Sequence, residues 1–438
     1  MDLSKFATFR VAACDLNGQW RGKRVPTAYA AKLEKGAVRM PLSALNVDIW
    51  GGDIEGSPLV FETGDADGVL LPTDRGPVPM PWLDSPSALV PMTMCHEDGT
   101  PFLGDPRQVL ASVLDRFAAR GWQVMAATEM EFTLVDDSGK TLRPPKDPRA
   151  NRRLFGADIL SLDELDAFDG FFTELYAGCE AMGLPVQTIT NEAGLGQFEV
   201  TLSHQAALRA ADDALLFKSL VRGIARRHGF AATFMAKPYA EDAGNGMHVH
   251  FSVLDSDGTN VFDNGGPEGT DTLLAAVAGC VAAMPASTLI FAPHGPSYER
   301  LVPGAHAPTS AAWAYENRTV AIRIPGGPYA ARRIEHRTAG GDINPYLMFA
   351  TVMGAAIEGI EEGLTPPTPI TGNAYDHDLP QLAPDWASAI DLFETDPFIA
   401  RCLPARLIEN LVMTKRQEMR LLKEVKHKGI WKLYLERA

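Results

Sequence analysis

The residues of this chain best suited to chemistry are glutamates and histidines at spacings that suit a divalent cation. The stretch 190–200, Thr-Asn-Glu-Ala-Gly-Leu-Gly-Gln-Phe-Glu-Val, holds Glu192 and Glu199 seven apart with two glycines between them. That pattern reads as a loop entering a strand, and both acids converge on one point only if the backbone bends sharply. Taken alone, a surface turn before an ordinary strand explains it equally well. Glu129 and Glu131, at i and i+2 in Thr128 to Phe132, project from one face of a strand. Like charges side by side repel unless a cation or a base compensates them, and the apolar neighbours Met125, Ala127, Phe132 and Leu134 argue against a merely solvated face. A second period-two set, His248, His250 and Ser252, follows a glycine-rich lead-in at Gly244 to Gly246. Imidazole beside carboxylate oxygens suits Mg²⁺ or Mn²⁺, the latter tolerating nitrogen better.

Arginines come next. Arg300, Arg318, Arg323, Arg332, Arg333 and Arg337 lie close together in sequence, Arg323 within an apolar strand pattern and Arg337 on the same strand face as Glu335. An unpaired charge there would be costly, so these guanidiniums hold phosphates or carboxylates, pair with the glutamates, or do both. Acids for metal together with arginines for anions are the equipment of phosphoryl transfer. No G-x-x-x-x-G-K-[ST] loop or complete G-x-G-x-x-G is present, which leaves P-loop and Rossmann nucleotide folds unsupported.

Such groups need a scaffold, and 438 residues call for two domains. An apolar content of 46% and a charged content of 22% describe an ordinary folded protein. The net charge of -15 argues against a nucleic-acid surface and is compatible with cationic small molecules. Five scattered cysteines without a C-x-x-C spacing indicate neither a disulfide framework nor a zinc knuckle, and a reducing cytoplasm is expected. The N-terminus shows no secretory pattern. Leu273 to Ala292 has no charge and is long enough to span a bilayer, but its alanines, Pro285, Ser287 and Thr288 favour a buried helix followed by a strand or loop.

The first hundred residues predict a small sheet-rich domain: a hairpin over Phe9 to Val25 turning at Asn17-Gly18, then short strands near Ala37 to Met40 and Gly68 to Leu71. The proline-rich stretch 77–91 reads as an irregular crossing. Asp105 and Pro106 then open an amphipathic helix that stops at Gly121, Gln123 to Val135 is a strand, and Lys140 to Arg153 a mobile polar loop. Helices follow over 162–182 and 205–228, and near 385–393 and 407–434, in an α+β arrangement.

Taken together, Glu129-Met130-Glu131, Asn191-Glu192 through Gly196-Gln197-Phe198-Glu199, Gly246 to His250, Arg300-Leu301-Val302-Pro303-Gly304, Asn317-Arg318 to Arg323-Ile324-Pro325, Arg333 to Arg337 and Asn344-Pro345-Tyr346-Leu347 resemble the glutamine synthetase family, in order and over nearly the whole chain. The resemblance implies a β-grasp domain over residues 1–103 and a catalytic domain over 104–438 with a curved antiparallel sheet flanked by helices. It also implies a dodecamer of two hexameric rings with active sites between neighbouring subunits. One metal would be held by Glu131, Glu192 and Glu199, and another by Glu129, His248 and Glu335. His250 and Ser252 would face ATP, Arg318, Arg323 and Arg333 its phosphates, and Arg300, Arg337 and Gly244 the substrate glutamate. Arg318, His306 and Glu335 are the expected catalytic residues. The implied chemistry is attack of the glutamate γ-carboxylate on ATP, giving an acyl phosphate and ADP, followed by attack of an amine.

The departures from the family pattern are specific. Where glutamine synthetases carry an acidic residue after the Arg-Leu-Val-Pro-Gly signature, this chain has Ala305-His306-Ala307. Loss of an anionic wall weakens a site for NH₄⁺, whereas a neutral imidazole can take a proton from an amine near pH 7. An organic amine is therefore expected, in the manner of the branch that makes γ-glutamylated amines and polyamines. Ammonium-dependent glutamine synthesis is the alternative within the class, and a non-catalytic or ligand-sensing family member is the alternative outside it. Asp48 and Asp53 both stand near the place of an expected N-terminal aspartate, Ala243 replaces a usual asparagine, and Tyr375 is a candidate for adenylylation.

Overall fold

In the computed structural model, which describes residues 3–305, 307–425 and 429–438, the N-terminal sheet grows from a hairpin. β1 (Thr8–Cys14) and β2 (Trp20–Pro26) flank a turn in which Asp15 Oδ1 accepts from the backbone N–H groups of Asn17 and Gln19, both at 2.9 Å. After a 3-10 segment at Thr27–Lys35 come β3 (Val38–Pro41), the short helix α1 (Pro58–Phe61), β4 (Asp67–Pro72), β5 (Val78–Pro79) and β6 (Ser87–Cys95). The strand order is β2-β1-β6-β4-β3, with β5 on β6. The expected irregular crossing over 77–91 is thus corrected, because its second half enters the central strand β6. Ser87 to Pro91 pair in parallel with Thr8 to Ala12 of β1, and Met92 to Cys95 pair antiparallel with β4. Pro91 therefore sits at the handover between partners, where a missing N–H interrupts neither ladder.

α2 (Pro106–Ala118) begins at Asp105, whose carboxylate accepts from Arg107 N at 2.8 Å. It leads into the long strand β7 (Gln123–Val135). The polar stretch 140–153 holds a paired β8 (Lys146–Asp147) and β9 (Arg152–Arg153), and Arg143 and Arg153 both reach Asp136, so ion pairs tie down what the composition suggested was a mobile loop. Then follow α3 (Leu162–Ala167), α4 (Asp169–Met182), β10 (Val186–Asn191), β11 (Gln197–Ala206), α5 (Ala207–Arg227), β12 (Ala231–Thr233) and β13 (Met247–Leu254). The uncharged stretch from Leu273 becomes α6 (Asp271–Ala283) and, beyond Pro285, a further helical turn α7 (Thr288–Phe291) in place of a strand. The chain closes with β14 (Trp313–Tyr315), β15 (Ile322–Ile324), β16 (Ile334–His336), α8 (Pro345–Glu362), α9 (Trp386–Thr395), α10 (Ile399–Cys402), α11 (Ala405–Leu422) and α12 (Ile430–Tyr434). Among the described residues no helix is long and apolar enough to cross a membrane.

The second sheet runs β10-β11-β7-β13-β16-β15-β14, with β12 also on β7. Its ladders are antiparallel except that β14 and β15 are parallel. The architecture is α+β. Phe9, Val11 and Ala13 of β1 belong to a small apolar cluster in the N-terminal sheet, whereas Ala12 and Cys14 on its other face join the large core around β7, α5, α6 and α8. β1 therefore lies between two cores, which orients one sheet against the other. The five cysteines are all free and buried.

Candidate active site

Strand register gathers the acids. Across β7 and β11, Glu131 faces Glu199, and across β7 and β13, Glu129 faces His248. On the next pair His250 faces Glu335, which in turn faces Arg323 on β15. Directly opposed residues share a face at Cβ separations of about 5 Å, so five strands joined by antiparallel ladders deliver these side chains to one patch.

Glu129 is the hub. Its Oε2 lies 2.9 Å from His248 Nδ1 and its Oε1 lies 3.0 Å from His250 Nε2. Because the two imidazoles meet opposite oxygens, Glu129 belongs to two groups of potential metal-ligand atoms, each within 4.8 Å of one another: Glu129, Glu199 and His248, and Glu129, His250 and Glu335. His250 therefore stands among the acids as well as at the nucleotide-sized cavity the resemblance assigns it. Glu131 is held differently, its Oε2 accepting from Gly246 N at 2.6 Å and from Gln197 Nε2 at 3.1 Å.

The electrostatics are strained in the direction a cation relieves. Burial first, then the charges of Glu131 and Glu129, push the Glu192 carboxyl up to about 7. Burial and the charges of Glu129, Glu131 and Glu192 push Glu199 up to about 9. Burial would also raise Glu129 and Glu335. The hydrogen bonds and charges of His248 and His250 outweigh it at Glu129, and His248 and Arg337 outweigh it at Glu335, so both are held below the ordinary carboxylate range. Buried carboxylates that resist ionising together are the donor set a hard divalent ion fits.

The arginines divide by partner. Arg323 Nη1 donates to Glu335 Oε2 at 2.7 Å, and Arg337 donates to Glu335 Oε1, so the internal ion pairs do form. Arg333 Nε lies 3.2 Å from His250 Nδ1. Arg300 is buried, with Nη1 donating to Thr338 O at 2.8 Å. Its side chain runs past Gly244 and Gly246, and a Cβ on Gly246 would stand 2.6 Å from Arg300 Nη2. Arg318 is exposed on a loop whose Asn317 Oδ1 accepts from Thr319 N at 2.9 Å, and its charge acts on Glu192. Glu316, just before it, has a left-handed φ of 54°, a costly conformation for a non-glycine residue at the base of that loop.

Ser252 lines a cavity of about 500 Å³ with Glu129, His250, His204, Asn260 and Arg333. Neither His204 nor Asn260 lies in a motif with a chemical spacing, so local pattern does not mark them. Gln197, which in the sequence is only the residue beside Phe198 and Glu199, bridges Glu131 to Gly244 O through its Nε2, the bond to Gly244 O being 2.9 Å. Tyr375 donates to Ala307 O at 2.8 Å, beside Arg300 and Arg337. Asp48 is buried, its Oδ1 accepting from Trp50 N and Gly52 N and its Oδ2 from Gln417 Nε2, which also donates to the backbone oxygen of Asp53. His306 lies outside the described residues.

The family model for the glutamine synthetase catalytic domain matches residues 103–434. Gamma-glutamylputrescine synthetase PuuA of Escherichia coli is 38% identical over 84% of this chain and 79% of its own length. Glutamate–isopropylamine ligase of a Pseudomonas species is 31% identical over 94% of this chain and 91% of its own. A solved structure, apo GmaS without ligand, superposes with a TM-score of 0.84 at 28% identity, covering 98% of this chain and 96% of that one.

Proposed function

The chain belongs to the glutamine synthetase family, and from that premise we propose that it ligates the γ-carboxylate of glutamate to an organic amine with cleavage of ATP, through a γ-glutamyl phosphate. Members of this family depend on ATP and a divalent metal, and their substrates are ATP, glutamate and an amine. The observation that carries the reading is the shared acid cluster around Glu129, with the half-buried Glu192 and Glu199 both in the field of Glu129 and Glu131. The specific amine class rests on similarity to ligases of putrescine and isopropylamine.

In this reading two or more Mg²⁺ or Mn²⁺ ions are held by Glu129, Glu131, Glu192, Glu199, His248 and Glu335. Bound there, they supply positive charge to the ATP phosphates. Gln197 and Gly246 orient Glu131 by hydrogen bonds to its Oε2. Glu335 positions Arg323 and Arg337, the first for phosphate and the second, with Arg300 and Gly244, for the glutamate α-carboxylate. Arg318 and Arg333 add charge at the phosphates, and His250 and Ser252 line the nucleotide cavity. His306 would accept the proton of the attacking amine. The reading divides the chain into a β-grasp domain at 1–103 and a catalytic domain at 104–438, supported by the separate N-terminal apolar cluster. It further includes a cytoplasmic dodecamer of two hexameric rings, with no nucleic-acid or membrane partner.

The test is ADP release with glutamate, ATP and Mg²⁺ against ammonium, methylamine, isopropylamine, ethanolamine, putrescine and spermidine. Preference for one organic amine supports the proposal. Preference for ammonium would replace it with glutamine synthesis, and silence throughout would leave a non-catalytic member of the family.

A further inference from the structure

A second cavity, of about 290 Å³, opens between the N-terminal sheet and α5 and shares no lining residue with the one at Glu129. Register builds it. Arg10, Ala12 and Cys14 on β1 oppose Arg24, Gly22 and Trp20 on β2, so two guanidiniums and an indole share the face turned toward α5. Trp20 Nε1 donates to Ser219 Oγ at 3.1 Å. Trp82 lies against α5 one helical turn further on, where a Cβ on Gly223 would come 2.3 Å from its ring. The indoles are thus fixed by separate anchors on one helix, and Met80 and Leu89 complete an apolar wall.

The charged end is unbalanced. Arg10 faces Arg24 directly, and like charges so placed on an antiparallel pair destabilise it. Arg24 Nε finds only the neutral Thr8 Oγ1, at 3.1 Å. Arg10 Nη1 is buried without a hydrogen-bond partner, and among the described residues neither guanidinium meets a carboxylate, in a chain whose net charge is -15. A buried donor left unpaired forfeits its hydration without replacing it, and the loss is larger for a charged group. Paired guanidiniums match the oxygens of carboxylate or phosphate, and rigid aromatic walls beside a few convergent polar groups are what small-molecule sites offer.

We propose that this cleft binds a small organic anion, its carboxylate or phosphate on Arg10 and Arg24 and its apolar body against Trp20 and Trp82. The site is independent of the ligase reading. A ligand here would clamp the N-terminal sheet to α5, which packs against the strand bearing Glu129 and Glu131.

The experiment is calorimetric titration of the full chain, its nucleotide site filled with ADP and Mg²⁺, with phenyl phosphate, phenylacetate, inorganic phosphate and benzyl alcohol. Saturable binding of an aryl anion is expected, to the near exclusion of benzyl alcohol and inorganic phosphate, because each of those offers only half of the recognised chemistry. Which aryl anion binds identifies the head group. Arg10→Gln with Arg24→Gln should weaken it at least tenfold, and the exposed Arg24→Gln alone should weaken it several-fold, guarding against a folding defect in the double variant. Failure of both aryl anions to bind, or undiminished binding to both variants, overturns the proposal. So does a folded double variant that dissociates into smaller species, since the arginines would then belong to a subunit contact.

Discussion

Replacing Gly246 by alanine perturbs Arg300 while leaving the arginine itself in the sequence. The new methyl would stand 2.6 Å from Arg300 Nη2, closer than any ordinary contact, whereas its other neighbour within reach, His248 Nε2, is at 3.5 Å. Arg300 cannot simply swing away: it is buried, anchored on Thr338 O at 2.8 Å, and flanked by Gly244, where a Cβ would already sit 3.1 Å from its Cγ. The guanidinium must shift, weakening one charged hydrogen bond, an effect of about 1.5–3 kcal/mol. If Arg300 holds the substrate α-carboxylate, that corresponds to a rise of roughly 10- to 100-fold in the KM for glutamate at about 1.4 kcal/mol per tenfold. The KM for ATP should change little. Steady-state kinetics with each substrate varied in turn, together with a thermal melt to exclude unfolding, make the check. A stable Gly246→Ala enzyme with an unchanged glutamate KM would refute the assignment of Arg300.

Other perturbations have equally definite outcomes. Glu335→Ala leaves Arg323 and Arg337 without their shared carboxylate and removes one proposed metal ligand, so ADP formation should fall by at least a thousandfold, read in an assay that omits the amine as well as one that includes it. Tyr375→Phe deletes the bond to Ala307 O beside the His306 segment; the loss of about 0.5–1.5 kcal/mol should appear as a several-fold rise in amine KM, with ATP KM unmoved. His306→Ala should impair amine transfer more than phosphorylation of glutamate, measured as the ratio of ligated product to ADP. Lys218 is buried, and desolvation lowers its pKa from 10.5 to about 7. Between those values the unfolded chain binds the extra proton, so this group makes stability rise with pH, an effect on the order of a few kcal/mol at 1.36 kcal/mol per unit. Lys218→Met should therefore stabilise the protein relative to wild type most at or below pH 7, and the gap should narrow toward pH 10 in denaturant titrations.

Much of the chemistry was legible from local pattern alone. Period two at Glu129 and Glu131 and again at His248 and His250 places side chains on one face of a strand whatever its neighbours, and Asp105 before Pro106 starts a helix by satisfying its own backbone. What the chain could not reveal by itself is partnership. Pro91 looked like a breaker until the sheet showed it standing between two ladders, and 140–153 looked mobile until Asp136 gathered its arginines. Spacing placed Glu131 among the metal ligands, yet only tertiary contact shows its Oε2 taken by Gly246 N and Gln197, and only register decides that His250 meets Glu129 and faces Glu335. The arginine pair at Arg10 and Arg24 likewise exists because a hairpin sets them opposite each other. The amino-acid sequence determined which faces are apolar, where helices begin and which residues can bear charge, because those follow from a residue and its near neighbours. Which charges share a site, and which are left without a partner, was decided by strand register and by packing between sheets, interactions whose ends lie too far apart in sequence for any local pattern to record.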